Sequence, residues 1–176
     1  MLQVVALRLY TTAAYRFMNN PLRDETRHEE KRQCPLAVTT YFAVEGIKKL
    51  RANNIKKHSD KHGEALTLWR GMRNLKVAHR FMEEGGTELA FMSTTTAVEV
   101  AVRYSLSERS LLFKILVPSF MATGADIQWL SAFPGEAEML YPPLTYLCPT
   151  GRTEDVQWSG PTDRPCAFTS WKSRLP

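Results

Sequence analysis

Near the end of the chain, in Phe133-Pro134-Gly135-Glu136-Ala137-Glu138-Met139-Leu140-Tyr141-Pro142-Pro143, two carboxylates stand at i, i+2 ahead of an apolar run. If that run is a strand from Glu136, both side chains point to one face, because strand side chains alternate. Like charges so close raise one pKa or require a cation beside them. A fold bears that cost most readily where the carboxylates do chemistry, here the stabilisation of a developing positive charge. Pro134-Gly135 makes a loop before the pair and Pro142-Pro143 stops the strand after it.

Two more features stand at predicted strand ends. The alternating run Ala65-Leu66-Thr67-Leu68-Trp69 delivers Arg70-Gly71. Ser93-Thr94-Thr95 precedes a helix that Thr96 and Glu99 would open as a capping box. Each has a plain reading alone: a surface charge, a cap, an acidic strand start.

The elements around them follow from periodicity. Residues 2–18 read as one helix with Leu2, Val5, Leu9, Ala13 and Phe17 as its apolar stripe, ending near Asn19-Asn20-Pro21. This acid-free stretch with Arg8, Arg16 and Arg23 also has the composition of a mitochondrial presequence, but its periodicity favours a domain helix. A second helix runs from Pro35 to Asn53-Asn54, with Tyr41 and Phe42 inward. A short helix over 75–84 is closed by Gly85-Gly86, and strands are expected at 88–92, 110–117, 126–130, 136–141 and 145–147. Helices first and strands after argue for an α+β fold. Residues 154–176 are rich in Pro, Gly, Ser, Thr and charge, show no apolar strand, and are expected to be poorly ordered.

The net charge of +5 is concentrated in Lys48–His62. No aromatic residue interleaves these bases, so a solvated helix end and linker fits better than a nucleic-acid site. His58 and His62 could share a helix face, but no third ligand is near, and no metal is expected. Cys34, Cys148 and Cys166 form no CxxC pair, so zinc is not suggested; a reducing compartment is the default, and one disulfide among the three stays open. No run of 18 apolar residues could span a membrane. No clear secretory or lipid-anchor signal is present, so the expected place is intracellular by default.

Taken in order, the three features resemble the motifs of the mono-ADP-ribosyltransferases of the arginine–serine–glutamate class, the arginine-specific ecto-enzymes of animals and the related bacterial toxins. Trp69-Arg70-Gly71 resembles the family's aromatic-arginine-glycine, and Phe91-Met92-Ser93-Thr94-Thr95 its serine-threonine-serine, with Thr95 in place of the second serine. Phe133-Pro134-Gly135-Glu136-Ala137-Glu138 resembles its glutamate-x-glutamate loop. Leu9-Tyr10-Thr11 and Met18-Asn19-Asn20-Pro21-Leu22-Arg23 resemble its leading helix, so the likeness spans about residues 7–155.

The resemblance implies N-terminal helices followed by a mixed β core of two packed sheets around an NAD cleft, in a domain of residues 1–153 with 154–176 as a divergent tail. It implies NAD as substrate, no metal, and protein acceptors carrying arginine, with no nucleic acid or membrane span. Arg70 would hold the pyrophosphate, for which a guanidinium fork is suited. The Gly71 backbone would approach the nicotinamide amide. Ser93 would position the glutamate and NAD, and Thr94 would brace the neighbouring strand. Glu138 would hold the nicotinamide ribose and stabilise an oxocarbenium-like state, as carboxylates do in glycosidases. Glu136 would bind and help deprotonate the attacking guanidinium. Phe133 would stack on the target, and Tyr104 would face the nicotinamide ring. The same site could serve an NAD glycohydrolase, or a non-catalytic NAD-binding module. The family's last apolar strand has no counterpart visible in Glu154–Pro176, which would leave an open sheet edge and lower stability.

Overall fold

The N-terminal stretch folds as two helices, α1 (Leu2–Tyr10) and α2 (Tyr15–Arg23), rather than one. The break falls at Thr11 and Thr12, whose hydroxyls donate back to the carbonyls of Arg8 and Leu9 at 2.8 and 2.7 Å. Such local bonds compete with the helix ladder. Pro21 lies inside α2 and does not end it; it is buried with Met18 and Asn19. The apolar stripe also differs from expectation. Ala6, Leu7 and Tyr10 are buried, whereas Leu2, Val5, Leu9 and Phe17 are exposed. The helix turns the face of Ala6, Leu7 and Tyr10, not the stripe of Leu2, Val5 and Leu9, toward the core.

The computed structural model describes residues 1–57, 65–157 and 165–174, with the backbone alone at 57, 120, 154–157 and 165–174. His58 and His62 lie outside the described residues. After the short α3 (Glu25–Glu29), capped by the Asp24 carboxylate, α4 (Ala37–Lys57) continues past Asn53-Asn54. Its buried face is Ala43 and Ile47, and Tyr41 points outward. Part of the basic segment is used within the fold, since Arg51 donates to the carbonyls of Thr123 and Met121.

The remaining elements are β1 (Leu66–Arg73), α5 (His79–Glu84), β2 (Gly86–Glu88), β3 (Met92–Thr95), α6 (Val98–Ser105), β4 (Ser110–Val117), β5 (Ala125–Asp126), β6 (Glu138–Tyr141), β7 (Thr145–Gln157) and β8 (Pro165–Arg174). The strand predicted at 88–92 is split between β2 and β3, which pair with different partners. The one at 126–130 shrinks to β5, with a 3-10 turn over Gln128–Leu130.

The strand order is β2-β7-β8-β4-β1-β3-β6-β5. β1 and β3 meet at the register pair Trp69↔Thr95, whereas β1 and β4 pair along their whole length. That narrow junction divides the order into a five-stranded and a three-stranded wing. The wings pack together through Leu68, Ile115 and Val117 from one side and Met92, Met139 and Tyr141 from the other. This is the α+β architecture of two packed sheets. Side chains alternate along β6, so Leu140 faces the opposite way and joins α1 and α4 through Leu7, Ala43 and Ile47.

The tail contains the strand that its sequence hides. β8 runs parallel to β4 from Ser110↔Cys166 to Leu116↔Lys172, and antiparallel to β7. Pro165 and the polar residues Thr169, Ser170, Lys172 and Ser173 interrupt any apolar run there. Backbone pairing on both sides, rather than an apolar run, makes it a strand. β7 likewise runs through residue 153 to Gln157. The β4 edge is therefore covered, the sheet ends in the short strands β2 and β5, and the lower stability expected from an open edge loses its reason.

Candidate active site

A cavity of about 740 Å³ opens where β1, β3, α2, α6 and the loop before β6 converge. β1 continues to Arg73, so Arg70 stands within the strand and not at its end. Its Nη1 donates to the Ser93 carbonyl at 3.1 Å and its Nη2 to Glu88 Oε2 at 3.4 Å. Arg23 Nε, from α2, donates to the other oxygen of Glu88 at 2.9 Å. Burial lowers the pKa of Arg70, and the Glu88 charge works in the opposite direction. The guanidinium remains charged.

Gly71 lets α6 lie directly on β1. A Cβ there would stand 1.8 Å from the Ala101 carbonyl oxygen, so no other residue fits. Arg73 then donates to the carbonyls of Tyr104 and Arg103 at 3.0 and 3.3 Å, satisfying the C-terminal end of α6. The Thr96–Glu99 capping box does not form. The α6 N-cap is Ala97, whose amide donates to Thr95 Oγ at 3.0 Å.

The two carboxylates arrive by different routes. β6 begins at Glu138, while Glu136 ends a 3-10 turn over Pro134–Glu136, and Ala137 between them is left-handed at φ 45°. The kink, not strand alternation, sets their relation; such a conformation at a non-glycine residue costs roughly 1–2 kcal/mol. Ser93 Oγ donates to Glu138 Oε1 at 2.6 Å, and Glu138 is only 7% exposed. Burial raises its pKa; the Ser93 bond opposes the rise, and the Glu136 charge adds to it. Among the described residues no ion pair involves Glu138.

Glu136 is half-buried. Its Oε1 accepts from the Tyr104 hydroxyl at 2.5 Å, and its carbonyl accepts from Thr95 Oγ at 2.6 Å. Tyr104 is held neutral by that bond, its pKa pushed up to about 12. Thr94 Oγ donates to the Met139 carbonyl at 2.8 Å, tying β3 to β6. Asn19 is buried and clamps the chain ahead of β3. Its amide donates to the Phe91 carbonyl and its Oδ1 accepts from the Phe91 amide, at 3.4 and 3.2 Å. Thr11 Oγ accepts from Ala132 N at 2.9 Å, anchoring the loop that carries the exposed Phe133. The cleft thus has guanidinium groups on one side and carboxylates on the other, an arrangement suited to an anionic ligand that becomes cationic at one atom.

A sequence profile of the NAD:arginine ADP-ribosyltransferase family matches residues 2–159. The chain belongs to that family. Its fold is similar to that of Plx2a, an ADP-ribosyltransferase toxin from Paenibacillus larvae (15% identity, TM-score 0.69, 98% of this chain and 85% of that one). It is also similar to exoenzyme S from Pseudomonas aeruginosa, in a complex with human 14-3-3 protein beta bound to carba-NAD (17% identity, TM-score 0.63, 97% and 72%). A third similar structure is the ADP-ribosyltransferase Vis from Vibrio splendidus, solved in complex with agmatine (20% identity, TM-score 0.62, 98% and 74%). At such identities these likenesses establish the fold. Among curated proteins, none matches the chain by sequence.

As an ADP-ribosyltransferase the protein uses NAD as its substrate. Arg70, Gly71, Ser93, Thr94, Tyr104, Phe133, Glu136 and Glu138 all line the one cavity. The sequence reading did not single out Glu88 or the pairing of Arg23 with Arg70 through it. Arg23 was visible in the leading-helix motif, but a lone acid on a short strand carries no signal of its own. Among the described residues, no group of three or more His, Cys, Asp or Glu stands together to hold a metal ion, and no helix is long and apolar enough to cross a membrane.

Proposed function

We propose that this ADP-ribosyltransferase transfers ADP-ribose from NAD to arginine side chains of protein acceptors and releases nicotinamide. The observation that carries this reading is Glu138, a buried carboxylate bonded to the Ser93 hydroxyl and, among the described residues, to no cation, with Glu136 close enough to raise its pKa. A buried anion without a counter-charge is a preorganised partner for a cation that forms during reaction.

Arg70, with Arg23, receives the pyrophosphate through charge-assisted bonds that now go to Glu88. The bond from ribose C1′ to the nicotinamide nitrogen breaks, and its electron pair leaves with nicotinamide. Glu138 stabilises the oxocarbenium-like ribose left behind. Glu136 binds the incoming guanidinium and takes the proton that one nitrogen loses as it bonds to C1′. Phe133, exposed at the rim, presents a ring face to that guanidinium. Agmatine, the ligand of the Vis complex, carries the same guanidinium group and supports an arginine acceptor here.

The test is incubation with labelled NAD and agmatine or poly-arginine. Labelled acceptor that disappears with Glu138→Ala is the expected result. Free ADP-ribose as the sole product would make water the acceptor, and bound NAD without turnover would make the protein a binding module. Arginine modification that survives Glu136→Gln intact would remove the role given to Glu136.

A further inference from the structure

Glu136 is fixed at its backbone by the Thr95 hydroxyl and by its own amide, which donates to the Phe133 carbonyl at 3.0 Å. A glutamate side chain still has three rotatable bonds, and among the described residues its carboxylate takes one hydrogen bond, from the Tyr104 hydroxyl at 2.5 Å. Tyr104 reaches that oxygen from the last turn of α6, whose position is set by the Gly71 contact and by Arg73 on the Tyr104 carbonyl. The phenol is half-exposed, so core packing does not account for its orientation. It occupies one oxygen of Glu136 and leaves the second to face an acceptor.

We propose that Tyr104 is the positioning residue for Glu136: its hydroxyl holds the Glu136 carboxylate ready for a guanidinium and so governs how ADP-ribose divides between guanidine and water. This rests on the arginine reading above. Once the nicotinamide bond has broken, guanidine and water compete for the same C1′. Water needs little orientation, whereas a guanidinium must be both placed and relieved of a proton at that moment. Misplacement of the base by about 1 Å is enough to cost on the order of 100-fold in such a step. The loss should therefore fall on transfer more than on cleavage.

The experiment measures agmatine modification and free ADP-ribose from the same reaction, in wild type, Tyr104→Phe, Glu136→Gln and the double variant. Tyr104→Phe keeps the ring and removes the hydroxyl. Its ratio of transfer to hydrolysis should fall about tenfold, the size of one hydrogen bond to a charged group. Added to Glu136→Gln, the same change should leave the ratio where it is, because Tyr104 acts through Glu136. An unaltered ratio in Tyr104→Phe, or an equal fall in both backgrounds, overturns the proposal while the arginine reading stands. Hydrolysis alone from the wild type overturns both.

Discussion

At one end of the cleft Arg23 and Arg70 share a single carboxylate, Glu88; at the other the Glu138 carboxylate is buried against the Ser93 hydroxyl, with no other partner among the described residues. Arg70, Glu88 and Glu138 are largely withheld from water and Arg23 is partly exposed; among the described residues, only the first end contains its counter-ion. A guanidinium already paired with a carboxylate can exchange that partner for a phosphate at small net cost. A carboxylate held without a cation pays continuously for burial, and the return comes when positive charge develops beside it. On the proposed reading, the binding groups are balanced at rest and the group that would lower the barrier is left unbalanced.

The sharpest way to break this contrast is Glu138→Gln. NAD cleavage should fall by roughly 10³-fold, the scale for removing a preorganised electrostatic partner. The same variant should melt higher than wild type at pH 7. Burial raises the Glu138 pKa, so the folded protein holds that proton more tightly than the unfolded chain. Its cost is absent at low pH, where both states are protonated, and grows as pH rises from the unfolded value through the folded one. The gain in Tm should therefore shrink toward zero as pH is lowered through the carboxylate range; a gain that persists in acid would mean that Glu138 is not strained by its charge.

Ser93→Ala removes the hydroxyl that bonds Glu138, and kcat should drop by about 10- to 100-fold, as expected for a hydrogen bond to a charged group. An unchanged kcat would show that Glu138 is positioned by its strand alone. Arg70→Lys exchanges a fork for a point charge. The KM for NAD should rise by roughly tenfold with kcat less affected, and an effect on kcat alone would move Arg70 from the balanced end to the reacting one. Smallest is Glu88→Gln, which frees both guanidinium groups and should lower the KM for NAD about threefold as competition for them ends. A higher KM would mean that Glu88 orients the arginines more than it competes for them.

The candidate site was legible as a set because its residues occur in order along short motifs. Arg70, Ser93, Glu136 and Glu138 could be named from sequence, and all four line one cavity. How the carboxylates meet was not legible. The i, i+2 spacing suggests one strand face, yet the left-handed Ala137 ends a turn and begins β6. Nor was Glu88, whose importance depends on two arginines 65 and 18 residues away in sequence. The helical stripe failed for a similar reason. Leu2, Val5 and Leu9 are spaced like a core face, but Gly46 admits Leu7 closely against α4 and turns α1 the other way.

By itself the sequence determined the chemistry available: the types and order of the charged groups, the glycine that only a close approach requires, and the segregation of helices from strands. Tertiary structure alone decided which charges are balanced, since burial and counter-ions come from chain segments far apart. It also decided that residues 165–174 form a strand. No apolar run there marks one, and the backbone groups of β4 and β7 that it pairs supply the reason.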